Sequence, residues 1–176
     1  MSTRARGPVL RGRLRAGVRR GFAVLGVAAS AGLPWAVLWW ALAPRARYSV
    51  TAGGASLGER AGEALVGADV VFGSIGVVVG LGAALVLGWR RRDVATTAGL
   101  GVGLLLAGLV AEALGHLAGP GSLLDRVSAA PVGARVTEAL DLHAMGVLTF
   151  APVVAMIIMM VLAVWSSDPP EHSADS

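Results

Sequence analysis

Four apolar runs dominate the chain, and the polar residues collect between them. The runs are Gly21–Ala43, Val70–Trp89, Thr96–Ala118 and Leu142–Trp165. At 1.5 Å per helical residue, ~20 apolar residues cross a hydrocarbon core, so each run predicts one transmembrane helix. The predicted fold is an all-α integral membrane protein, with four transmembrane helices as two tandem hairpins. Long outer connections, each carrying a short helix, close the hairpins. The division is a basic N-terminal arm over 1–20, a four-helix domain over 21–165 and an acidic, disordered C-terminal tail over 166–176.

Interruptions inside the runs refine this picture. Pro34 leaves the Ser30 carbonyl without its helical donor and breaks span one near its middle; Pro152 predicts a kink in span four. Trp39 and Trp40 suit an interfacial aromatic belt, and Met156, Met159 and Met160 fill the inner half of span four. Gly76, Gly80, Ala84 and Gly88 fall four apart along span two, and Gly99, Gly103, Ala107, Ala111 and Gly115 along span three. Such small-residue stripes let helices approach closely, so spans two and three, joined by the short turn Arg90–Asp93, are predicted to form the tightest pair. In the first connection, Tyr48–Thr51 reads as extended, Gly53-Gly54 as a turn and Ser56–Leu65 as a short helix. In the second, Gly119-Pro120-Gly121 stops span three, and Ala134–Leu140 reads as a short helix.

Composition supports the class: 55% hydrophobic residues and a mean hydropathy of +0.70 leave too little polar cover for a soluble domain. Cysteine is absent, so neither disulfide nor thiolate chemistry is open to the chain. All 15 basic residues are arginine. Seven precede span one and three sit in the turn after span two, against five in the long connections. By the positive-inside rule both termini are expected in the cytoplasm. Arg13, Arg15, Arg19 and Arg20 are expected to meet anionic headgroups, on either an interfacial helix or a disordered arm. The net charge of +4 belongs to this topology signal, and no nucleic-acid partner is expected. Arg19-Arg20-Gly21-Phe22 resembles a twin-arginine export signal, but the run behind it is too long and aromatic for one, and Pro44 follows the candidate cut.

The connections also repeat a pattern. Gly58–Leu65 and Gly133–Leu140 both read G-x-R-x-x-E-A-L, 75 residues apart, which suggests a duplicated hairpin in parallel orientation.

Several span ends resemble an actinobacterial family of small four-span membrane proteins of unknown function. They are Leu42-Ala43-Pro44-Arg45, Val50-Thr51-Ala52-Gly53-Gly54, Ala68-Asp69-Val70-Val71-Phe72 and Gly115-His116-Leu117-Ala118-Gly119-Pro120. The resemblance runs from Trp35 to Trp165 and implies four spans, a cell-membrane location and no established activity. Asp69 and His116 fit its pattern; Glu112 has no counterpart there.

The candidate polar cluster is Asp69, Glu112, His116 and His143, with Asp141 nearby. Glu112 and His116 are four apart and share a helix face. A carboxyl group inside a span is costly and marks a candidate site. Imidazole with carboxylate is a donor set that zinc or manganese accepts, but a Glu-x-x-x-His pair equally forms a simple hydrogen-bonded pair, and no metal or cofactor is assigned. No nucleophile or phosphate-loop motif is present, and no enzyme activity is expected. Two functions remain. One is an accessory membrane protein, acting through helix packing and outer-loop contacts with a homo-oligomer or membrane-protein partner. The other is a subunit of an oligomeric transporter or channel, with Glu112 as coupling carboxylate.

Overall fold

The computed structural model describes residues 6–52, 54–57, 59–90, 93–119, 123–137 and 140–165. Its elements run α1 (Arg6–Ser30), α2 (Gly32–Leu42), β1 (Arg47–Thr51), β2 (Gly54–Leu57), α3 (Glu59–Arg90), α4 (Val94–Leu117), α5 (Leu123–Ala129), β3 (Arg135–Thr137), a 3₁₀ turn (Met145–Thr149) and α6 (Phe150–Trp165). Four helical units are long and apolar enough to cross a membrane: Arg15–Leu42, Gly62–Leu87, Val94–Leu117 and Met145–Trp165. The chain is therefore an all-α four-span membrane protein by architecture, with a small sheet at one end. We call that end of the bundle the sheet side and the other, where α3 hands over to α4, the turn side.

Span one breaks where Pro34 requires it. α1 ends at Ser30 and α2 starts at Gly32; the Ala31 amide bonds back to the Ala28 carbonyl at 3.1 Å, a tighter turn. The basic arm does not stop short of the membrane as a separate unit: from Arg6 it is helical and continuous with span one. Pro152 falls in the first turn of α6, where a missing N–H costs nothing. It starts that helix rather than kinking it, and the preceding turn is 3₁₀.

The pairing of helices differs from expectation. Spans two and three are not the tightest pair. Span three packs chiefly on span one, and span two on span four. A Cβ on Gly103 would lie 2.6 Å from the Ala28 Cβ, and one on Gly99 would strike the Gly21 backbone. On span two, a Cβ on Gly80 would strike the backbone of Ala151, and one on Gly76 would lie 2.8 Å from the Trp35 ring. The surroundings of Gly88 lie outside the described residues. A glycine stripe marks close approach but carries no label for its partner, and here the partners are the parallel spans. Ala28 and Gly103, Gly32 and Ala107, and Gly76 and Ala151 are neighbours, each pair 75 residues apart. Equivalent positions of the two hairpins thus face each other across the bundle.

The core is aromatic on the sheet side. Trp35, Trp39 and Phe72 are fully buried, with Trp35–Phe72 centroids at 4.7 Å and Trp39–Phe72 at 5.0 Å in an edge-to-face pair, an arrangement worth ~0.5–1.5 kcal/mol per pair beyond its burial. Trp39 is thus a core residue and not part of a belt. Gly115, read as leaving room for a neighbouring backbone, instead receives the Trp39 ring. Trp40, on the other face of α2, is exposed as expected.

Both outer connections depart from their predicted helices. Ser56 and Leu57 belong to β2, and the helix begins at Glu59 and runs unbroken into span two. In the second connection the short helix is Leu123–Ala129, while Arg135–Thr137 forms β3. β1 lies between β2 and β3, antiparallel to both. Val136 is buried opposite Tyr48, and that tertiary pairing overrides the helical spacing of the segment. Gly133 leads in at φ +91°, in a turn closed by the Ala134 amide to the Pro131 carbonyl at 3.0 Å, the left-handed position that a type II turn reserves for glycine. Within the matching octapeptides, residues 59–65 are helical whereas Arg135–Thr137 is a strand, and among the described residues the likeness of the two hairpins resides in their membrane helices.

Candidate functional site

Polar side chains on the sheet side tie separate elements together. Asp69 projects from α3 and is buried, 8% exposed. Its carboxylate accepts the backbone N–H of His143 at 3.2 Å and of Ala144 at 2.9 Å, the two residues that lead into the 3₁₀ turn. A helical start leaves backbone donors unpaired, and a carboxylate is the acceptor best suited to them. One residue earlier, the Ala68 carbonyl accepts Trp39 Nε1–H at 3.0 Å in a buried bond. Ala68 and Asp69 together fasten span two to spans one and four.

The sheet stands on the first turns of α3. Ala46 and Tyr48 are buried against Ala64 and Leu65, while Arg47 and Arg135 are exposed on the opposite face. Arg126 Nη1 donates to the Thr137 carbonyl at 2.6 Å and pins β3 to α5. Arg45, just past α2, donates from Nη2 to the Trp40 carbonyl at 2.7 Å and lies 5.0 Å from the Trp40 ring centroid, a cation–π geometry.

The predicted cluster does not assemble as a unit. Asp69 meets His143 only through the latter's backbone; the His143 ring is exposed, its Nδ1 3.2 Å from the Asp141 carbonyl. Glu112 is half-buried and His116 exposed, and no hydrogen bond joins them among the described residues. Nor does any group of three or more His, Asp or Glu side chains converge among those residues.

The turn side has its own tie, which the polar reading passed over. Asp93 caps α4, accepting the Thr96 amide at 3.0 Å and the Thr96 hydroxyl at 2.8 Å, and Arg20 approaches it at 3.7 Å. The Thr96 hydroxyl bond chiefly holds the Asp93 carboxyl below its ordinary 3.8, with the Thr96 amide and Arg20 adding to it against a smaller opposing effect of burial. Its signal was legible: aspartate three residues before threonine, ahead of an apolar run, is an N-cap pattern. Arg20 thus faces Asp93, Arg15 and Arg19 are exposed, and the side chain of Arg13 lies outside the described residues.

Comparison with protein-family models, with characterised proteins and with solved structures returns no match for this chain.

Proposed function

We propose that this chain is an accessory protein of the cell membrane, a four-span scaffold that presents its small sheet to a membrane-protein partner or to a second copy of itself. The observation that supports this reading is the placement of its buried polar residues. Among the described residues these are Asp69 and Thr96, one on each side of the bundle, and each holds the end of an element. The core between them is Trp, Phe, Leu, Val, Met and Ala. A conduction path needs ionisable groups or a chain of polar groups directed inward at mid-depth; among the described residues the core there offers only the buried, unpartnered indole N–H of Trp35 and no buried ionisable side chain. In the same proposal both termini are cytoplasmic, and Arg13, Arg15 and Arg19 meet anionic headgroups there.

Photo-crosslinking residues introduced at Arg47 and Arg135 test it in native membranes. The expected result is a discrete protein adduct from both positions and none from lipid-facing Val102. Absence of any adduct, together with an ion flux in proteoliposomes that Glu112→Gln abolishes, replaces this reading with the transporter.

A further inference from the structure

Two cavities on the sheet side meet along shared walls. The larger, about 580 Å³, is an apolar trough between α2 and α4, walled by Leu33, Val37, Trp40, Leu114, Gly115 and Ala118. The smaller, about 250 Å³, shares Trp40, Gly115 and Ala118 and adds Arg45, Thr137 and Leu140. The trough runs from Leu33 to Trp40, roughly 10 Å along the helix axis, within the membrane leaflet on the sheet side. The smaller chamber sits beyond it, where α2 ends and the sheet begins. Helix break, small residues and β3 combine to make this space: Pro34 lines its deep end, Gly115 and Ala118 keep α4 low, and Thr137 closes the top.

We propose that this composite cavity binds one anionic phospholipid, with an acyl chain in the trough and its phosphate at Arg45. The trough falls in the ~300–1,000 Å³ range of small-molecule sites and opens to the bilayer, since Leu33, Val37 and Trp40 are exposed. The chamber above it is cationic. Arg45 is preset by its hydrogen bond to the Trp40 carbonyl and its stacking on the Trp40 ring. That bond engages one of the five donors of a guanidinium fork, and no carboxylate pairs with Arg45 among the described residues. Arg126, bonded to the carbonyl of the lining Thr137, adds a second positive charge behind the chamber wall. A cation at the water boundary above an apolar slot complements a molecule with an anionic head and a hydrocarbon tail. The site is separate from the N-terminal arginines, which lie at the other end of span one.

The test uses the full chain in nanodiscs doped with phosphatidylglycerol that carries a diazirine in one acyl chain, with labelled peptides read by mass spectrometry. Label is expected on Leu33–Trp40 and Leu114–Ala118. Arg45→Gln should reduce it roughly tenfold, Ala118→Trp should abolish it by filling the junction, and Arg15→Gln with Arg19→Gln should leave it unchanged. Unlabelled phosphatidylglycerol should compete, and phosphatidylcholine or inorganic phosphate at the same concentration should not. Unchanged labelling in Arg45→Gln, with wild-type melting, overturns the proposal. Equal competition by phosphatidylcholine reduces the site to ordinary surrounding lipid, and displacement by phosphate alone makes it a free-anion site; either result also overturns it.

Discussion

Asp69 shows how a costly residue is stabilised by where its partners come from. Its carboxylate is buried at the bundle edge, and its two donors are backbone amides of a segment far along the chain. Hydrogen bonds to a charged group contribute about 1.5–3 kcal/mol each. Asp69→Ala is therefore expected to destabilise the protein by about 3–6 kcal/mol in detergent melts and to free the start of span four to exchange its amides. Asp69→Asn should recover part of the loss, because it keeps one acceptor. Glu112 is the opposite case. It stood out in the sequence because it is a carboxylate inside an apolar run, yet in the structure no described residue bonds it. If the protein is a scaffold, both Glu112→Gln and Glu112→Leu should melt within about 0.5 kcal/mol of wild type. A loss confined to both variants' function, with unchanged melting, would identify a coupling carboxylate. Charge was visible in the sequence; the backbone partners that make one carboxylate structural and leave the other unpaired were not.

Glycines act at the scale of elements, through what a methyl group would touch. On Gly80 a Cβ meets the Ala151 backbone, whereas on Gly82 it meets nothing within 4 Å. Gly80→Ala should cost about 1–3 kcal/mol through overpacking, while Gly82→Ala should be neutral or slightly stabilising through helix propensity; equal melting temperatures for the two would mean that spans two and four do not meet as described. The four spans and the Pro34 break were legible because hydropathy and the missing proline N–H act locally. The helix pairs were not, since spans in lipid associate by shape without a hydrophobic preference for a partner. The sheet was harder still: β3 has only the residues Arg135–Thr137 and exists because Arg47, Tyr48 and Ser49 lie across from it. Asp93 gives the elements a pH signature. Its carboxyl is held below the ordinary 3.8, so it stabilises the folded state above that value. The contribution fades as pH falls through the lowered native value. Wild type should melt above Asp93→Asn near neutrality, and the gap should close only in acid below the ordinary carboxylate range; a gap that persists there would assign the effect to shape rather than charge.

At the scale of the whole molecule, four crossings place the start of α1, the turn between α3 and α4 and the end of α6 on one side, with the sheet on the other. The connection of Arg20 to Asp93 confirms that the first two meet there. The expectation for which side faces the cytoplasm comes from charge. In the sequence, ten arginines precede span one or follow span two in the short turn, and five, Arg45, Arg47, Arg60, Arg126 and Arg135, fall in the long connections. Arginines near the first span usually dominate orientation, and α1 carries its own in a helix continuous with that span, so their charge is held close to the membrane instead of being diluted along a loose arm. A reporter fused after Ser176 is therefore expected to be active only in the cytoplasm. Neutralising Arg15, Arg19 and the other arginines before Gly21 should yield a mixture of orientations, because the three in the turn must then act against the five around the sheet. An external reporter in the wild type would mean a miscounted span. An unchanged orientation after neutralisation would transfer control to the sheet side, whose folded connection would then resist the inward translocation that a loose loop permits.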